Sequence, residues 1–235
     1  MNSYQRCWAI IPAAGIGMRV GADIPKQYMK INGKTILEYA IDPFLRHPQV
    51  DGVMVVLAEN DPAWSDLGIN EIDQLITTIG GKERFHSVLN GLIALENSVS
   101  DDDWILVHDA ARPCLEMKDV DKLINTLCEH PTGGILAMPV RDTMKRSNLD
   151  NVISSTVERE GLWHALTPQM FRYKKLRVSI EQAIEKNIKL TDEAQAMEKI
   201  GEDPMLVEGS VRNIKVTMPD DIELATFYLS QMENS

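Results

Sequence analysis

Residues 12–28 are the stretch of this chain best suited to chemistry. They read Pro12-Ala-Ala-Gly-Ile-Gly-Met-Arg19 and, a few residues on, Pro25-Lys26-Gln27-Tyr28. Small residues at 13, 14, 15 and 17 let backbone N–H groups approach a phosphate without side-chain obstruction. Between residues 19 and 34, Arg19, Lys26, Lys30 and Lys34 face only Asp23. That local excess of +3 sits in a chain whose 24 basic and 35 acidic side chains leave a net charge of −11. Three readings fit: a tight turn with a solvated basic face, a dinucleotide site on Gly15, Gly17 and Gly21, or a nucleoside triphosphate site with Arg19 and Lys26 on its phosphates. The dinucleotide reading requires an acidic ribose ligand about 20 residues on, at the end of the second strand. Glu38 has the spacing but falls in the first helix. A Walker loop is excluded, because no Gly-Lys-Ser/Thr follows.

Open α/β sheets hold ligands beyond the carboxyl ends of their strands, so such a loop needs a strand before it and a helix after it. Residues 8–12 are apolar on both faces, as in a buried strand. Thr35 with Glu38 three residues on forms a capping box for the next helix. Strands are expected at 53–58, Leu75–Ile79, 104–108 and 135–139. Between them, Phe85, Val88, Leu89, Leu92 and Leu95, and then Val120, Leu123, Ile124 and Leu127, repeat with helical period. This alternation predicts an α/β fold, a Rossmann-like three-layer sandwich with a mainly parallel sheet. Residues 140–162 break the rhythm, and the period-2 pattern of Val152, Ser154, Thr156 and Glu158 predicts a projecting β-arm. Helices near 172–187 and 191–200, a strand pair around 205–216 and a closing helix from Pro219 complete the chain. With no repeat and no linker, residues 1–235 read as a single domain with one arm.

Composition narrows the function. Hydrophobic content of 44% and charged content of 25% exclude a disordered chain. An acidic protein lacks the basic footprint that nucleic acid requires, and no apolar run approaches the ~18 residues of a membrane span. Cys7, Cys114 and Cys128 are odd in number and far apart, which points to reduced thiols in the cytoplasm rather than a disulfide framework or a zinc ribbon. No His-Glu-x-x-His occurs. Arg6 before the apolar run 7–18 looks superficially like a signal peptide, but Pro12, Gly15 and Gly17 interrupt it. The Asp101-Asp102-Asp103 run reads as a solvated loop.

Several further motifs stand beside the first loop: Gly80-Gly81, Arg84, Ser87-Val88, Val107-His-Asp-Ala-Ala-Arg-Pro113, the run 133–146, Gly161-Leu-Trp-His-Ala-Leu-Thr-Pro-Gln169, Thr191-Asp-Glu-Ala194 and Asn213-Ile-Lys-Val-Thr217. Together they resemble the nucleotidyltransferases, specifically the 2-C-methyl-D-erythritol 4-phosphate cytidylyltransferase family of the non-mevalonate isoprenoid pathway, nearly end to end. The resemblance implies attack of a polyol phosphate on the α-phosphorus of CTP with release of pyrophosphate. Positioning and cation placement would then carry catalysis.

By that resemblance Arg19 and Lys26 are the catalytic cations and Mg2+ bridges the triphosphate. Pro12, Ala13, Ala14, Gly15 and Gly17 cradle the nucleotide, Gly81 and Ser87 read the cytosine, and Asp109 and Ala110 line the ribose and metal region, Asp109 being the candidate metal ligand. Arg112, Thr143, Arg159, Thr167 and Lys215 match the acceptor side. The arm reaches across a homodimer, so Thr143 and Arg159 serve the neighbouring subunit. Lys82 and Arg212 depart from the family pattern; Arg212 would either aid phosphate binding or pair with an acidic neighbour. Cys114 and Trp163 read as packing residues. His164 is not needed as a base, since the attacking phosphate is already ionised. Two rivals stand: a cytidylyltransferase for another polyol phosphate such as ribitol 5-phosphate, and a non-catalytic nucleotide-binding protein.

Overall fold

A computed structural model describes residues 6–15, 24–69 and 72–233. In chain order the strands are β1 (Cys7–Pro12), β2 (Lys30–Ile31), β3 (Lys34–Thr35), β4 (Val50–Leu57), β5 (Leu75–Ile79), β6 (Trp104–Val107), β7 (Gly133–Pro139), β8 (Met144–Ser147), β9 (Ile153–Val157), β10 (Trp163–Arg172) and β11 (Met205–Glu208). The helices are α1 (Ile36–Leu45), α2 (Pro62–Ser65), α3 (Arg84–Ala94), α4 (Met117–Leu127), α5 (Tyr173–Glu185), α6 (Glu193–Lys199) and α7 (Asp220–Glu233), with a 3-10 turn at Lys26–Tyr28.

Seven strands form one sheet in the order β11-β7-β10-β6-β1-β4-β5. The pairs β1–β4, β1–β6, β4–β5 and β7–β11 are parallel, and β10 alone runs against both neighbours. Successive strand residues serve opposite faces. Ala9, Ile11, Val53, Val55 and Leu106 join Leu37, Phe44, Leu123 and Leu127 of α1 and α4 in one core. Ile10, Met54, Val56, Ile105 and Val107 join Val88 and Leu92 of α3 and Leu176 and Ile180 of α5 in the other. Both faces being covered explains why these strands are continuous apolar runs. The expected three-layer α/β fold is therefore present. A third, smaller cluster packs α7 through Ala225 and Leu229 against Ile36, Cys114 and Val216.

Local chemistry sets the boundaries. Thr35 caps α1 as predicted: its hydroxyl accepts from the Glu38 amide at 3.2 Å, while the Glu38 carboxylate accepts from the Thr35 amide at 2.7 Å. The arm is a hairpin of β8 and β9, joined to no strand of the main sheet and exposed along almost its whole length.

Three expectations need correction. Residues 163–172 had no strand assignment, yet β10 lies in the middle of the sheet. Its register shifts between Ala165 and Gln169, which accommodates Pro168, a residue unable to donate to a ladder. The strand pair around 205–216 is a single strand, β11, after which residues 209–216 form no strand and only 211–212 make a turn. Asp103 is buried rather than solvated, its carboxylate accepting from the Ser100 amide at 2.7 Å.

The approach of β11 to β7 depends on a missing side chain. A Cβ on Gly134 would lie 2.1 Å from the Met205 carbonyl oxygen, a backbone atom that cannot swing aside. Gly134→Ala is expected to lower unfolding stability by about 2–4 kcal/mol. Gly201→Ala has positive φ but open space around it and should cost about 1 kcal/mol. Urea denaturation midpoints compare the two; equal losses would refute the close-approach account.

Candidate active site

Loops following β1, β5 and β6 converge at the carboxyl edge of the sheet around a cavity of about 430 Å³. Pro12, Ala13, Ala14 and Gly15 form one wall, with Lys26 and Gln27 beside them. Gly81 to Arg84 and Ser87 form a second wall, and Asp109, Ala110, Ala111 and Lys215 close the third.

The first loop is held from behind. The buried Gln27 carboxamide donates to the carbonyls of Ala13 at 2.9 Å and Gly15 at 3.1 Å, and the Ala13 amide donates to Val56 at 2.8 Å. Gly80 lets the second loop close on the first, since a Cβ there would lie 2.4 Å from the Ala14 methyl. The Gly81 amide donates to the Ser87 hydroxyl at 3.1 Å, so the two residues predicted to read a base occupy one small turn.

Asp109 is the electrostatic centre. Its Oδ1 accepts from Arg84 Nε at 2.9 Å, its Oδ2 meets Lys215 Nζ at 2.8 Å, and Arg112 Nε stands 3.6 Å from Oδ2. Burial opposes ionisation, but Arg84 and then Lys215 and Arg112 outweigh it, holding the carboxyl well below the usual range. Arg84 is in turn gripped by Glu193, its two Nη groups donating at 2.5 and 3.1 Å. Burial disfavours the Arg84 charge, but Glu193 and Asp109 reverse that and push its pKa upward.

The wall behind Asp109 is a determined chain of hydrogen bonds. Imidazole Nε2 of buried His108 faces the Arg112 carbonyl at 3.1 Å. A carbonyl only accepts, so Nε2 carries the proton. Nδ1 of the neutral ring then accepts from the Thr167 hydroxyl at 2.9 Å, and that oxygen accepts from the Asp109 amide at 3.1 Å. Asn213 donates to the Thr167 carbonyl at 2.7 Å, and its own carbonyl accepts from Arg112 Nη1 at 2.8 Å. The segment carrying Lys215 is thereby fastened to the loop carrying Asp109.

Of the predicted residues, Pro12, Ala13, Ala14, Gly15, Lys26, Gly81, Ser87, Asp109, Ala110 and Lys215 line the cavity together. Arg112 and Thr167 lie just behind it as framework. Thr143 and Arg159 are exposed at the arm, away from the cavity of their own chain. Arg19 and Gly17 lie outside the described residues. The basic enclave is differently composed from the one expected: Lys34 pairs with Asp42 at 3.3 Å and lies over the Tyr39 ring, and neither it nor Lys30 lines the cavity, whereas Lys82 and Arg84 do. Arg212 pairs loosely with Glu116 at 4.0 Å. Cys114 is buried packing as expected, but Trp163 is exposed. Sequence reasoning gave no role to Gln27 or Glu193 and placed Arg84 only within the base-recognition motif Gly80 to Ser87; no spacing rule joins Arg84 to a partner 109 residues away.

Among the described residues, Asp109 and Glu83 are the carboxylates of the cavity. Oδ2 of Asp109 faces both Lys215 and Arg112, whereas Oδ1 meets Arg84 and keeps a lone pair beyond it. Magnesium commonly binds through one or two carboxylates plus substrate phosphates, so this donor set suits an ion carried in on a triphosphate.

Comparison with known proteins agrees with the geometry. The family model for 2-C-methyl-D-erythritol 4-phosphate cytidylyltransferase matches residues 7–231. A protein of that name from Vibrio parahaemolyticus is 53% identical over 226 residues, 95% of each chain. One from Pseudomonas putida (strain GB-1) is 47% identical over 224 residues, again 95% of each. The solved Francisella tularensis enzyme of the same name superposes with a TM-score of 0.83 at 37% identity, covering 95% of this chain and 99% of its own. A 4-diphosphocytidyl-2C-methyl-D-erythritol synthase structure gives 0.84 at 37% identity, covering 96% and 99%.

The His108 arrangement predicts a pH dependence. Desolvation is the main cause that pushes the ring down to about 4 from 6.5, so the unfolded chain takes up a proton that the native ring refuses. The corresponding stability is fully present above pH 6.5 and falls as pH drops towards 4, by on the order of 3 kcal/mol. Asp109 acts in the same sense but in a lower window, its contribution being lost only as pH falls below the ordinary carboxylate value. Urea midpoints between pH 7 and 4 should fall, and His108→Gln should flatten that slope; an unchanged slope would refute the assignment.

Proposed function

The chain belongs to the 2-C-methyl-D-erythritol 4-phosphate cytidylyltransferase family, and on that premise we propose how its cavity carries out the family's reaction. The phosphate oxygen of 2-C-methyl-D-erythritol 4-phosphate attacks the α-phosphorus of CTP. The bond from that phosphorus to the bridging oxygen of the β-phosphate breaks, and pyrophosphate leaves with the electron pair. The product is 4-diphosphocytidyl-2-C-methyl-D-erythritol, an intermediate of isoprenoid precursor biosynthesis.

One observation carries the assignment of parts: the Pro12–Gly15 loop, Lys26, the Gly81–Ser87 turn and Lys215 face one another across a single cavity. Its volume, about 430 Å³, lies in the range of small-ligand sites. CTP, bound with Mg2+ as its counter-ion, places its triphosphate along residues 12–15 and its base at Gly81 and Ser87. Asp109 and Ala110 face the ribose, and Asp109 is the protein's candidate contact to the magnesium. Lys26, with Arg19, stabilises charge that moves towards the leaving pyrophosphate. Lys215 stands across the cavity, where the acceptor's phosphate must approach. Arg112 and Thr167 act on that phosphate through the loop and segment they hold in place. Two anions meet here, so fixed cations rather than a protein nucleophile lower the barrier.

Thr143 and Arg159 enter through the dimer. Both are exposed on an arm whose Leu149, Val152 and Ile153 are also exposed, which suits a hairpin that covers the acceptor side of a second copy. We read residues 1–235 as one catalytic unit with a dimerisation arm at about 140–162. Free Cys7, Cys114 and Cys128 suit a cytoplasmic enzyme.

Lys26→Ala should reduce kcat by about 10²–10³-fold, measured as pyrophosphate released from Mg–CTP and the acceptor; near-normal turnover at saturating CTP would defeat the role given to Lys26. In sedimentation the protein should run as a dimer, and a monodisperse monomer of full activity would defeat the shared site.

A further inference from the structure

We propose that Glu193 is a positioning residue for cytidylyl transfer: buried outside the cavity, it occupies both Nη groups of Arg84, so that the guanidinium fixes Asp109 through Nε instead of turning onto substrate phosphates. The proposal rests on the cytidylyltransferase reading of the cavity.

Arg84 lines the cavity and its side chain keeps 30% exposure. A guanidinium so placed is by nature a strong, bidentate phosphate ligand. Here three of its five N–H donors, one on each nitrogen, are already engaged, Nη1 and Nη2 on Glu193 and Nε on Asp109, which fixes the plane and direction of the fork. Glu193 itself is 1% exposed and is not part of the cavity lining. Its backbone has little freedom. Asp192 caps α6 by accepting from the Gln195 amide at 2.9 Å. Buried Gln169 accepts from the Ala194 amide at 2.8 Å and donates to Asp192 at 3.0 Å. A carboxylate this buried persists only when it is paired and hydrogen-bonded, and both its oxygens accept from one cavity residue, Arg84.

Two consequences follow for the reaction. Arg84 becomes a neutralised strut that holds Asp109 Oδ1, which leaves Oδ2 to steer Lys215 at 2.8 Å. It is also kept from gripping triphosphate and pyrophosphate equally, an interaction that would tighten ground-state binding without raising kcat. Removing the Glu193 charge releases both effects together. Asp109 and Lys215 lose their fixed geometry, and a misplacement of about 1 Å costs up to about 10²-fold in rate.

The test uses the full-length enzyme with Mg–CTP and 2-C-methyl-D-erythritol 4-phosphate, pyrophosphate release for kinetics and titration calorimetry for CTP binding. Glu193→Gln is expected to lower kcat by about 10–100-fold while KM and Kd for CTP stay level or tighten. Glu193→Asp should recover part of the loss. Arg84→Lys should reproduce the loss, and the double variant Glu193→Gln/Arg84→Lys should be no slower than Arg84→Lys alone. A kcat equal to wild type per folded molecule, a raised KM with kcat preserved, or losses that multiply in the double variant would each overturn the proposal. Should Glu193→Gln not fold, Glu193→Asp and Arg84→Lys decide it by the same split. Absence of pyrophosphate release from the wild type would instead defeat the underlying reading of the site.

Discussion

A carboxylate buried among cations organises this molecule. Asp109 stands just past the end of β6, and Arg84, Arg112 and Lys215 reach it from the start of α3, from its own loop and from the irregular segment after β11. Burying a charge is costly unless it is paired and hydrogen-bonded. These segments are therefore obliged to meet, and the meeting place is the carboxyl edge of the sheet. The cavity is what remains between them. Its lining is left with more cations than anions, since Lys26, Lys82, Arg84 and Lys215 face Asp109 and Glu83. The pairing that steadies the native state thus also leaves net positive charge for an anionic ligand.

Where a local rule governs the structure, the residues announced it. β1, β4, β5 and β7 are read from apolar runs, α1 from the Thr35–Glu38 capping box, and the arm from its alternation. The first loop and the Gly80–Ser87 turn were legible because small residues mark places where backbones approach closely, and Gly80 lies too near Ala14 to carry a Cβ. What escaped was non-local. β10 mixes His164, Thr167, Gln169 and Arg172 with apolar residues and carries Pro168, so neither periodicity nor propensity identifies it. Only its two antiparallel neighbours define it as a strand. Arg84 and Glu193 are likewise unremarkable singly, and their relation exists only once α3 and α6 share a face of the sheet.

Counting charge along the chain met the same limit. Of the run from Arg19 to Lys34, Lys26 lines the cavity and Lys34 is spent on Asp42 and Tyr39, while Lys82, Arg84 and Lys215 arrive from elsewhere in the sequence. A net charge of −11 opposes the approach of a nucleotide at long range, and salt screens that repulsion over roughly 8–10 Å. The cavity cations act inside that distance. Selectivity for an anion here is a property of short-range placement.

The arm poses the remaining physical question. An isolated two-stranded hairpin is marginally stable in water. This one is held by its own ladder and by local contacts such as Lys145 with Thr156 at 2.6 Å. It nevertheless exposes Leu149, Val152 and Ile153. Apolar residues at the tip of a marginal hairpin gain from being covered, and in the dimer proposed above a second copy of the chain would cover both arms in a symmetric pairing. The same pairing is what would bring Thr143 and Arg159 to an acceptor, since neither lines the cavity of its own subunit. In that proposed dimer, burial of the arm and completion of the acceptor site would be one event, so covering the exposed hairpin would itself favour the assembly in which the site is complete.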